Sequence, residues 1–269
     1  MTEAPRVRAR KSLGQNFLVD GNLQRRIVKA LDAGPDDEVL EIGPGRGALT
    51  RHLDGVPRRL VVVELDDALA DHWAVHFHDR PDVRVIHRDI LSIPLTEITD
   101  APERLLVVGN IPYNITTPIL FHLLARPRPA RIVLMVQREV GERIVAAPGT
   151  GAYGALAVGV QSVADARLLF GVSRRAFRPV PAVESVVVEV VPHAPPRSSV
   201  DDERELRVLT RALFQWRRKQ LGKSLRDHPD LRVERSRVER IAADLDLDLR
   251  RRPETLAPGE LLALARAIR

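Results

Sequence analysis

The segment GNIPYN, Gly109 to Asn114, places an amide, a proline and an aromatic ring where an apolar run meets a predicted helix. Asn and Pro are common in turns, so turn formation alone could account for the segment. The same side chains would also hold a flat base that carries an exocyclic amine. The side-chain oxygen of Asn110 and a backbone carbonyl, that of Ile111 or of Pro112, could accept the two amine hydrogens. Tyr113 could stack on the base once the base has left its own stack.

Such a site suits methyl transfer to an adenine-type amine. The lone pair of that nitrogen is delocalised into the ring, and two acceptors that draw the nitrogen toward tetrahedral geometry make the pair available. Transfer leaves a cationic nitrogen that readily loses its proton, so no strong general base is needed and positioning carries most of the catalysis. A ring face needs no hydroxyl, so phenylalanine is expected to serve nearly as well as Tyr113.

Glycines and acids follow the other predicted strands. Gly43 and Gly45 belong to the loop GPGRG, Glu64 lies 21 residues beyond Gly43, and Asp89 ends a third strand. Open α/β sheets bind ligands at the carboxyl ends of their strands, where an acid can accept both ribose hydroxyls. Asp89 can accept from an adenine amine. A nicotinamide dinucleotide would also use such a loop and acid, but GxGxG in place of GxGxxG and the third acid favour S-adenosylmethionine.

Strands and helices alternate along most of the chain. Six apolar runs predict strands, namely EVLEI, RRLVVVE, DVRVIH, RLLVVGN, ARIVLMVQ and ESVVVEVVP. Continuous rather than alternating apolar runs are typical of parallel strands buried on both faces. The fold class is therefore α/β, a doubly wound Rossmann-like methyltransferase sheet. The helix in TTPILFHLLAR is expected to begin with Thr117 as its N-cap.

The segment HAPPRSS interrupts this pattern, and the periodicity beyond it is purely helical. We therefore expect a methyltransferase domain at 1–195 and a small, basic, all-helical RNA-binding domain at 196–269. Residues 1–26 carry six Lys/Arg and two Asp/Glu, and residues 201–269 carry seventeen Lys/Arg and thirteen Asp/Glu. The chain has a net charge of +6, and its excess of basic residues is therefore concentrated at its two ends. Basic ends of this kind suit a nucleic acid partner, although a solvated basic face would look the same.

Composition excludes several classes of protein. The 269 residues include no cysteine, and the eight histidines are scattered without ligand spacing, so no metal site is expected. No run approaches the ~18 apolar residues of a membrane span. The start of the chain has no apolar segment of the secretory type. These features predict a cytoplasmic protein without membrane contact, and we expect a monomer.

Five segments together resemble the ribosomal RNA adenine dimethyltransferase family. They are KSLGQNFLVD (11–20), EIGPGRGALT (41–50), GNIPYN (109–114), MVQREVGERIVAAPGTGAYGALAV (135–158) and AFRPVPAVESVVV (176–188). The resemblance covers roughly residues 11–226. It implies that Gln15, Asn16 and Leu18 close over the cofactor. It also implies that the cofactor site is lined by Gly43, Gly45, Glu64, Asp89, Ile90 and Asn110.

The resemblance also implies roles for a second aromatic ring and for a basic helix. Phe177 is similar to the family's second stacking aromatic, opposite Tyr113, although a core phenylalanine before a Pro-rich turn is the alternative. The helix FQWRRKQLGKSL has Gly222-Lys223 where the family usually has Arg-Asn. RNA docking is accordingly expected through Arg217, Arg218, Lys219 and Lys223.

Within the family, the chain is most similar to enzymes that dimethylate two adjacent adenines in the 3′-terminal hairpin of 16S-type rRNA. The implied partner is the rRNA of a 30S precursor, the small ribosomal subunit during assembly. Three alternatives remain at this stage. They are a macrolide-resistance enzyme that acts on large-subunit rRNA, a mainly non-catalytic assembly factor, and an NAD-linked oxidoreductase.

Overall fold

The computed structural model describes residues 9, 10 and 13–269. Within this part of the chain the strands are β1 Phe17–Leu18, β2 Glu38–Ile42, β3 Arg59–Glu64, β4 Val83–His87, β5 Leu106–Asn110, β6 Arg131–Gln137, β7 Ala164–Val172, β8 Phe177–Arg178 and β9 Ser185–Pro192. Seven of these strands form one sheet in the order β4-β3-β2-β5-β6-β9-β7. The predicted α/β class with a doubly wound sheet is confirmed.

The helices of the described residues cover the sheet and build the C-terminal region. They are α1 Gly21–Leu31, α2 Thr50–Leu53, α3 Asp67–His76, α4 Leu95–Ile98, α5 Thr116–Leu123, α6 Arg138–Ile144, α7 Ala155–Gln161, α8 Val200–Gln215, α9 Leu221–Asp227, α10 Arg235–Asp244 and α11 Pro258–Ile268. None of them is long and apolar enough to cross a membrane.

The parallel centre of the sheet follows directly from its apolar runs. β2 pairs in parallel with both β3 and β5, and Leu40 lies opposite Val61 on one side and Val107 on the other. All three side chains are fully buried. Because the strand order reverses between β2 and β5, the loops after these strands diverge and leave a crevice at the carboxyl edge of the sheet.

The antiparallel end of the sheet was only partly predicted. β9 pairs antiparallel with β6, so that Met135 lies opposite Val187. Its neighbour β7 was missed, because its sequence ADARLLFGV mixes exposed and buried positions. The two-residue pair β1–β8 was also missed, since two residues show no periodicity.

Helix ends show how local chemistry fixes the elements. Asp20 is the N-cap of α1, and its side chain accepts hydrogen bonds from the amides of Asn22 and Leu23. The predicted N-cap of α5 is wrong. The helix begins at Thr116, so its N-cap is Ile115, two residues before the predicted one, and this residue provides no side-chain bond.

The chain divides into two compact units. The first comprises the residues up to Gly141 together with Arg167–Pro192, and the second comprises Glu142–Ala166 with His193–Arg269. Residues 142–166 therefore lie in the second unit, whereas the predicted boundary assigned them to the first domain. The reason is packing. Tyr153 is fully buried in the core of the second unit, and its hydroxyl donates to the carbonyl of Leu256 at 2.8 Å.

Candidate active site

A cavity of about 280 Å³ lies in the first unit, where the loops after the parallel strands meet. All the residues predicted to bind the cofactor line it, and so does the tetrad predicted for catalysis. The lining includes Gln15, Asn16, Leu18, Gly43, Gly45, Glu64, Asp89, Ile90, Asn110, Ile111, Pro112 and Tyr113. The structure thus brings together predicted residues from five separate segments of the chain.

The glycine loop is shaped for close approach of a ligand. Gly45 has a φ of +53°, in the left-handed region that favours glycine. A β-carbon there would lie 3.2 Å from the ring of Phe17, another residue of the cavity wall. The absence of side chains at Gly43 and Gly45 keeps this wall open. A ligand can therefore approach the backbone of this loop closely.

Glu64 is fixed before any ligand arrives. Its Oε2 accepts from the Gly45 amide at 3.0 Å, and its Oε1 accepts from the amides of Leu65 and Asp66 at 2.8 and 2.9 Å. Burial raises the pKa of Glu64, and these amide bonds partly oppose the shift. Since a carboxylate has ~4 acceptor positions, about one is left for a ribose hydroxyl. That Glu64 accepts hydrogen bonds from both ribose hydroxyls stays a prediction.

Asp89 and the segment before β1 complete the cofactor side of the cavity. Asp89 Oδ1 accepts from the Leu91 amide at 3.0 Å, and its Oδ2 has no hydrogen-bond partner among the described residues. Gln15 donates to Asp66 Oδ2 at 3.2 Å, which ties this segment to the loop after β3. Residues 11 and 12 of the predicted motif lie outside the described residues.

Hydrogen bonds around the tetrad after β5 distinguish the two candidates for the second acceptor, the Ile111 and Pro112 carbonyls. Asn110 donates through Nδ2 to the carbonyl of Asn16 at 3.1 Å, and no described residue forms a hydrogen bond with its side-chain oxygen. The Pro112 carbonyl accepts from the Ile115 amide at 3.2 Å and from the Thr116 hydroxyl at 3.4 Å. The Ile111 carbonyl has no such partner in the described part of the chain. The local geometry therefore favours Ile111 over Pro112 as the second acceptor.

Tyr113 is anchored at its hydroxyl. The ring is half-buried, and the oxygen lies 2.5 Å from the Ser185 Oγ at the start of β9. Burial raises the pKa of Tyr113, and the bond to Ser185 opposes the shift. Ser185 is fully buried. The sequence-based expectation that the hydroxyl is dispensable did not include this anchor.

Phe177 does not reach the cavity. It pairs with Leu18 in the short β1–β8 ladder and is fully buried in a core cluster that includes Ile27 and Val187. The ring therefore presents no face to a base in this structure, and the location corresponds to the alternative of a core phenylalanine.

The family model for ribosomal RNA adenine dimethylase matches residues 6–262. The chain belongs to this family. The resemblance predicted from five motifs is confirmed, as are the enzyme class and the use of S-adenosylmethionine. The alternative of an NAD-linked oxidoreductase is excluded.

Relatives and solved structures agree with this assignment. A "Ribosomal RNA small subunit methyltransferase A" from Geobacter metallireducens is 43% identical, with 97% of this chain and 96% of the relative covered. A protein of the same name from Geobacillus kaustophilus is 40% identical, with 96% and 90% covered. The crystal structure of the 23S rRNA methyltransferase ErmE is 28% identical, with a TM-score of 0.70 and 94% and 99% covered. A dimethyladenosine transferase from Plasmodium falciparum shares the fold at 24% identity and a TM-score of 0.77, with 92% and 95% covered.

The predicted RNA-binding residues of this dimethylase lie in its second unit. Arg217 forms its hydrogen bonds within that unit. Its Nε donates to Glu254 Oε2 at 2.7 Å, and its Nη2 donates to the Gly151 carbonyl at 3.4 Å. Arg218, Lys219 and Lys223 are exposed, and within the described residues none of them forms an ion pair. The prediction of one continuous basic helix is wrong, because Arg217, Arg218 and Lys219 lie in the turn between α8 and α9 and only Lys223 is helical. The group contains one structural arginine and three cations without an ion pair among the described residues.

A second basic group was missed. The segment between β7 and β9 exposes Arg174, Arg175 and Arg178, and none of them forms an ion pair with a described residue. This segment is fixed beside the cavity, because the carbonyl of Ala176 accepts from the Val19 amide at 2.8 Å and Ser185 holds Tyr113. The motif AFRPVPAVESVVV was predicted as a family block, but the adjacent pair Arg174-Arg175 was not weighed as a basic signal.

Glu41 was also missed, although it belongs to the motif EIGPGRGALT. It lies in β2 and lines the cavity, yet is only 1% exposed. Burial raises the pKa of Glu41 to about 8, an effect that the nearby Thr50 opposes and the charge of Glu64 reinforces. A glutamate inside a buried apolar strand is a detectable signal, because charged residues are almost never fully buried without a partner.

Proposed function

We propose that this chain transfers methyl groups from S-adenosylmethionine to the N6 amines of two adjacent adenines in the 3′-terminal hairpin of small-subunit rRNA. The substrate is the rRNA of a 30S precursor, and the enzyme acts as a cytoplasmic monomer. The observation that supports this proposal most directly is a pair of hydrogen-bond acceptors without partners among the described residues, the Asn110 side-chain oxygen at the end of β5 and the Ile111 carbonyl just after it. The relatives named for the small subunit support this choice of RNA.

The tetrad positions the target amine. In the first transfer each acceptor takes one N6 hydrogen, which draws the nitrogen toward tetrahedral geometry and ends the delocalisation of its lone pair into the ring. The bond from Asn110 to the Asn16 carbonyl keeps the correct face of the amide toward the base. Tyr113, held by Ser185, presents its ring for stacking. The nitrogen proton is lost to water after transfer.

The cofactor side of the cavity orients the methyl donor. S-adenosylmethionine supplies, when bound, a methyl group activated by a positively charged sulfur. The fixed carboxylate of Glu64 accepts from the ribose, and the free oxygen of Asp89 accepts from the adenine amine of the cofactor. Catalysis is therefore mainly positioning of two reactants in one cavity.

Two basic groups support RNA binding. In the second unit, the exposed cations without an ion pair among the described residues are Arg218, Lys219 and Lys223. The bond from Arg217 to Glu254 holds their segment in place. Arg174, Arg175 and Arg178 are exposed on the segment of the first unit that the bonds of Ala176 to Val19 and of Ser185 to Tyr113 hold beside the cavity. Phosphates of the strand that delivers the adenine are the natural partners of the second group.

The test is methylation of small ribosomal subunits that lack the modification, with labelled S-adenosylmethionine and mapping of the modified bases. We expect dimethylation of two adjacent adenines in the 3′-terminal hairpin and no incorporation with Asn110→Ala. Modification of a single adenine in large-subunit rRNA would instead support the macrolide-resistance type. Tight subunit binding without incorporation by the native chain would support a non-catalytic assembly factor.

A further inference from the structure

The backbone of Gly45 is held from two sides by side chains outside the glycine loop. Its amide donates to Glu64 Oε2 at 3.0 Å, and its carbonyl accepts from the indole Nε1 of Trp73 at 2.9 Å. Glu64 ends β3, and Trp73 belongs to the next helix, α3. One glycine of the cavity wall therefore connects a residue predicted to bind the cofactor with an aromatic ring that lies outside every predicted motif.

The indole of Trp73 is also fixed by its packing. It is only 5% exposed, and its ring stacks on that of Phe77 at a centroid distance of 5.6 Å. Gly47 has a φ of +79°, and a β-carbon there would lie 2.5 Å from Trp73 Cη2. The indole thus occupies the space that a side chain at position 47 would fill. Trp73 lies behind the loop and is not among the described residues that line the cavity.

We propose that Trp73 is a positioning residue for the methyl donor. Through the Gly45 carbonyl it keeps the Gly45 amide on Glu64, and so holds that carboxylate ready for the ribose. This rests on the cofactor of the proposed function and not on its RNA. Trp73 touches neither reactant, so its effect is to order the loop before the ligand arrives. A loop that is already ordered does not have to be ordered on binding, which favours a tighter complex.

Trp73→Phe removes the indole N–H and retains an aromatic ring. Titration calorimetry of S-adenosylmethionine into the full chain should give a dissociation constant about tenfold above the native one, the change that corresponds to one hydrogen bond of ordinary strength. Trp216→Phe is the matched control, because Trp216 is the other tryptophan of the chain and lies in the second unit. Its dissociation constant should stay native. If Trp73 only fills space, Trp73→Phe lowers the unfolding temperature and leaves the cofactor affinity native, which would overturn the proposal.

A double-mutant cycle tests whether Trp73 acts through Glu64. Glu64→Ala removes the acceptor of the Gly45 amide, so in that background Trp73→Phe should raise the dissociation constant by less than about twofold. The same loss of affinity in both backgrounds would mean that Trp73 and Glu64 act independently, and would contradict the proposed route.

Hydrogen exchange of the Trp73 indole N–H provides a test without any variant at position 73. Its NMR signal is assigned in Trp216→Phe, in which Trp73 is the only tryptophan. We expect the N–H to be protected from exchange both in the ligand-free protein and in the complex with S-adenosylmethionine. Protection that arises only on binding would show that the ligand orders the loop, and would refute the proposal.

These experiments contain no RNA, so their failure is distinct from failure of the methylation assay. Binding by the native chain reports on the cofactor of the proposed function, whereas the ratio of affinities between native and variant chains reports on Trp73.

Discussion

Asn110 is the residue on which the proposed chemistry depends most. In Asn110→Ala, the acceptor for one amine hydrogen and the bond to the Asn16 carbonyl are both removed. We expect single-turnover methylation to fall by ~10²-fold or more, because misplacement of a reactant by about an ångström has that effect. Thermal unfolding and RNA binding should remain close to native. If Asn110 only formed a turn, a well-folded variant would methylate at nearly the native rate.

Glu41 makes the stability of the ligand-free protein depend on pH. Its pKa is raised to about 8 in the folded chain from the ordinary 4.5. Between these values the folded state holds a proton that the unfolded state has lost, so its stabilising effect is complete below 4.5 and disappears as pH rises through 8. The free energy of unfolding should fall with a slope of roughly 1.4 kcal/mol per pH unit in that window.

Urea unfolding across this window measures that slope. The native chain should lose stability with rising pH, and the matched Glu41→Gln variant should lose less by the contribution of this one group. Parallel curves for the two proteins would mean that the Glu41 carboxyl is already ionised when the protein is folded and empty of ligand.

At the scale of elements, the hydroxyl of Tyr113 connects the turn after β5 to the first residue of β9. Tyr113→Phe leaves the buried Ser185 hydroxyl without its partner, which typically costs ~1–3 kcal/mol. We expect lower thermal stability, while methylation by the folded fraction changes less than in Tyr113→Ala, which also loses a stacking contact of ~1–3 kcal/mol per base.

The double variant Tyr113→Phe with Ser185→Ala provides the control, since it removes both partners of the bond. It should be more stable than Tyr113→Phe alone. If Tyr113→Phe unfolds at the native temperature, the hydroxyl is not an anchor and the simpler expectation from sequence was sufficient.

Elements buried on both faces could be predicted from sequence, because continuous apolar runs bounded by turn residues are typical of fully buried strands. β2, β3, β5 and β6 were found this way, together with the glycines and acids at their ends. β7 and the β1–β8 pair could not be found, since an exposed edge and a two-residue ladder depend on neighbours distant in sequence. The burial of Phe177 has the same origin, as its core partners come from α1 and β9.

Within the site, side-chain identity was predictable and competition among hydrogen bonds was not. The sequence left open whether Ile111 or Pro112 supplies the second acceptor. Only the folded turn shows that the Pro112 carbonyl is already engaged by Ile115 and Thr116. The three amides that hold Glu64 are likewise a property of the loop conformation.

At the scale of the whole molecule, the exposed arginines beside the cavity, which have no ion pair within the described part of the chain, predict a salt-dependent contact. Reversing Arg174 and Arg175 to Glu should weaken binding to the small subunit and flatten its dependence on salt, because each phosphate contact contributes about one counterion. The affinity for S-adenosylmethionine should not change. Binding measured over a range of salt concentrations gives both quantities.

Arg58 and Arg104 are matched controls for this prediction. Both are exposed without ion pairs to described residues, but they precede β3 and β5 and so lie at the opposite edge of the sheet from the cavity. Reversing this pair should leave the salt slope near native. An equal effect of both pairs would indicate a response to total charge and would contradict a specific contact at Arg174 and Arg175.

The hydrogen bond from Tyr153 to Leu256 has a consequence for biosynthesis. The two residues are separated by 103 positions, and the core around Tyr153 is completed by Leu261 and Leu264 near the end of the chain. A nascent chain on the ribosome thus carries residues 142–166 without their packing partners until residues 256–264 have emerged. A chain that stopped at residue 195 would keep this apolar segment permanently without its core, and would be a substrate for chaperones and proteases rather than an isolated catalytic domain.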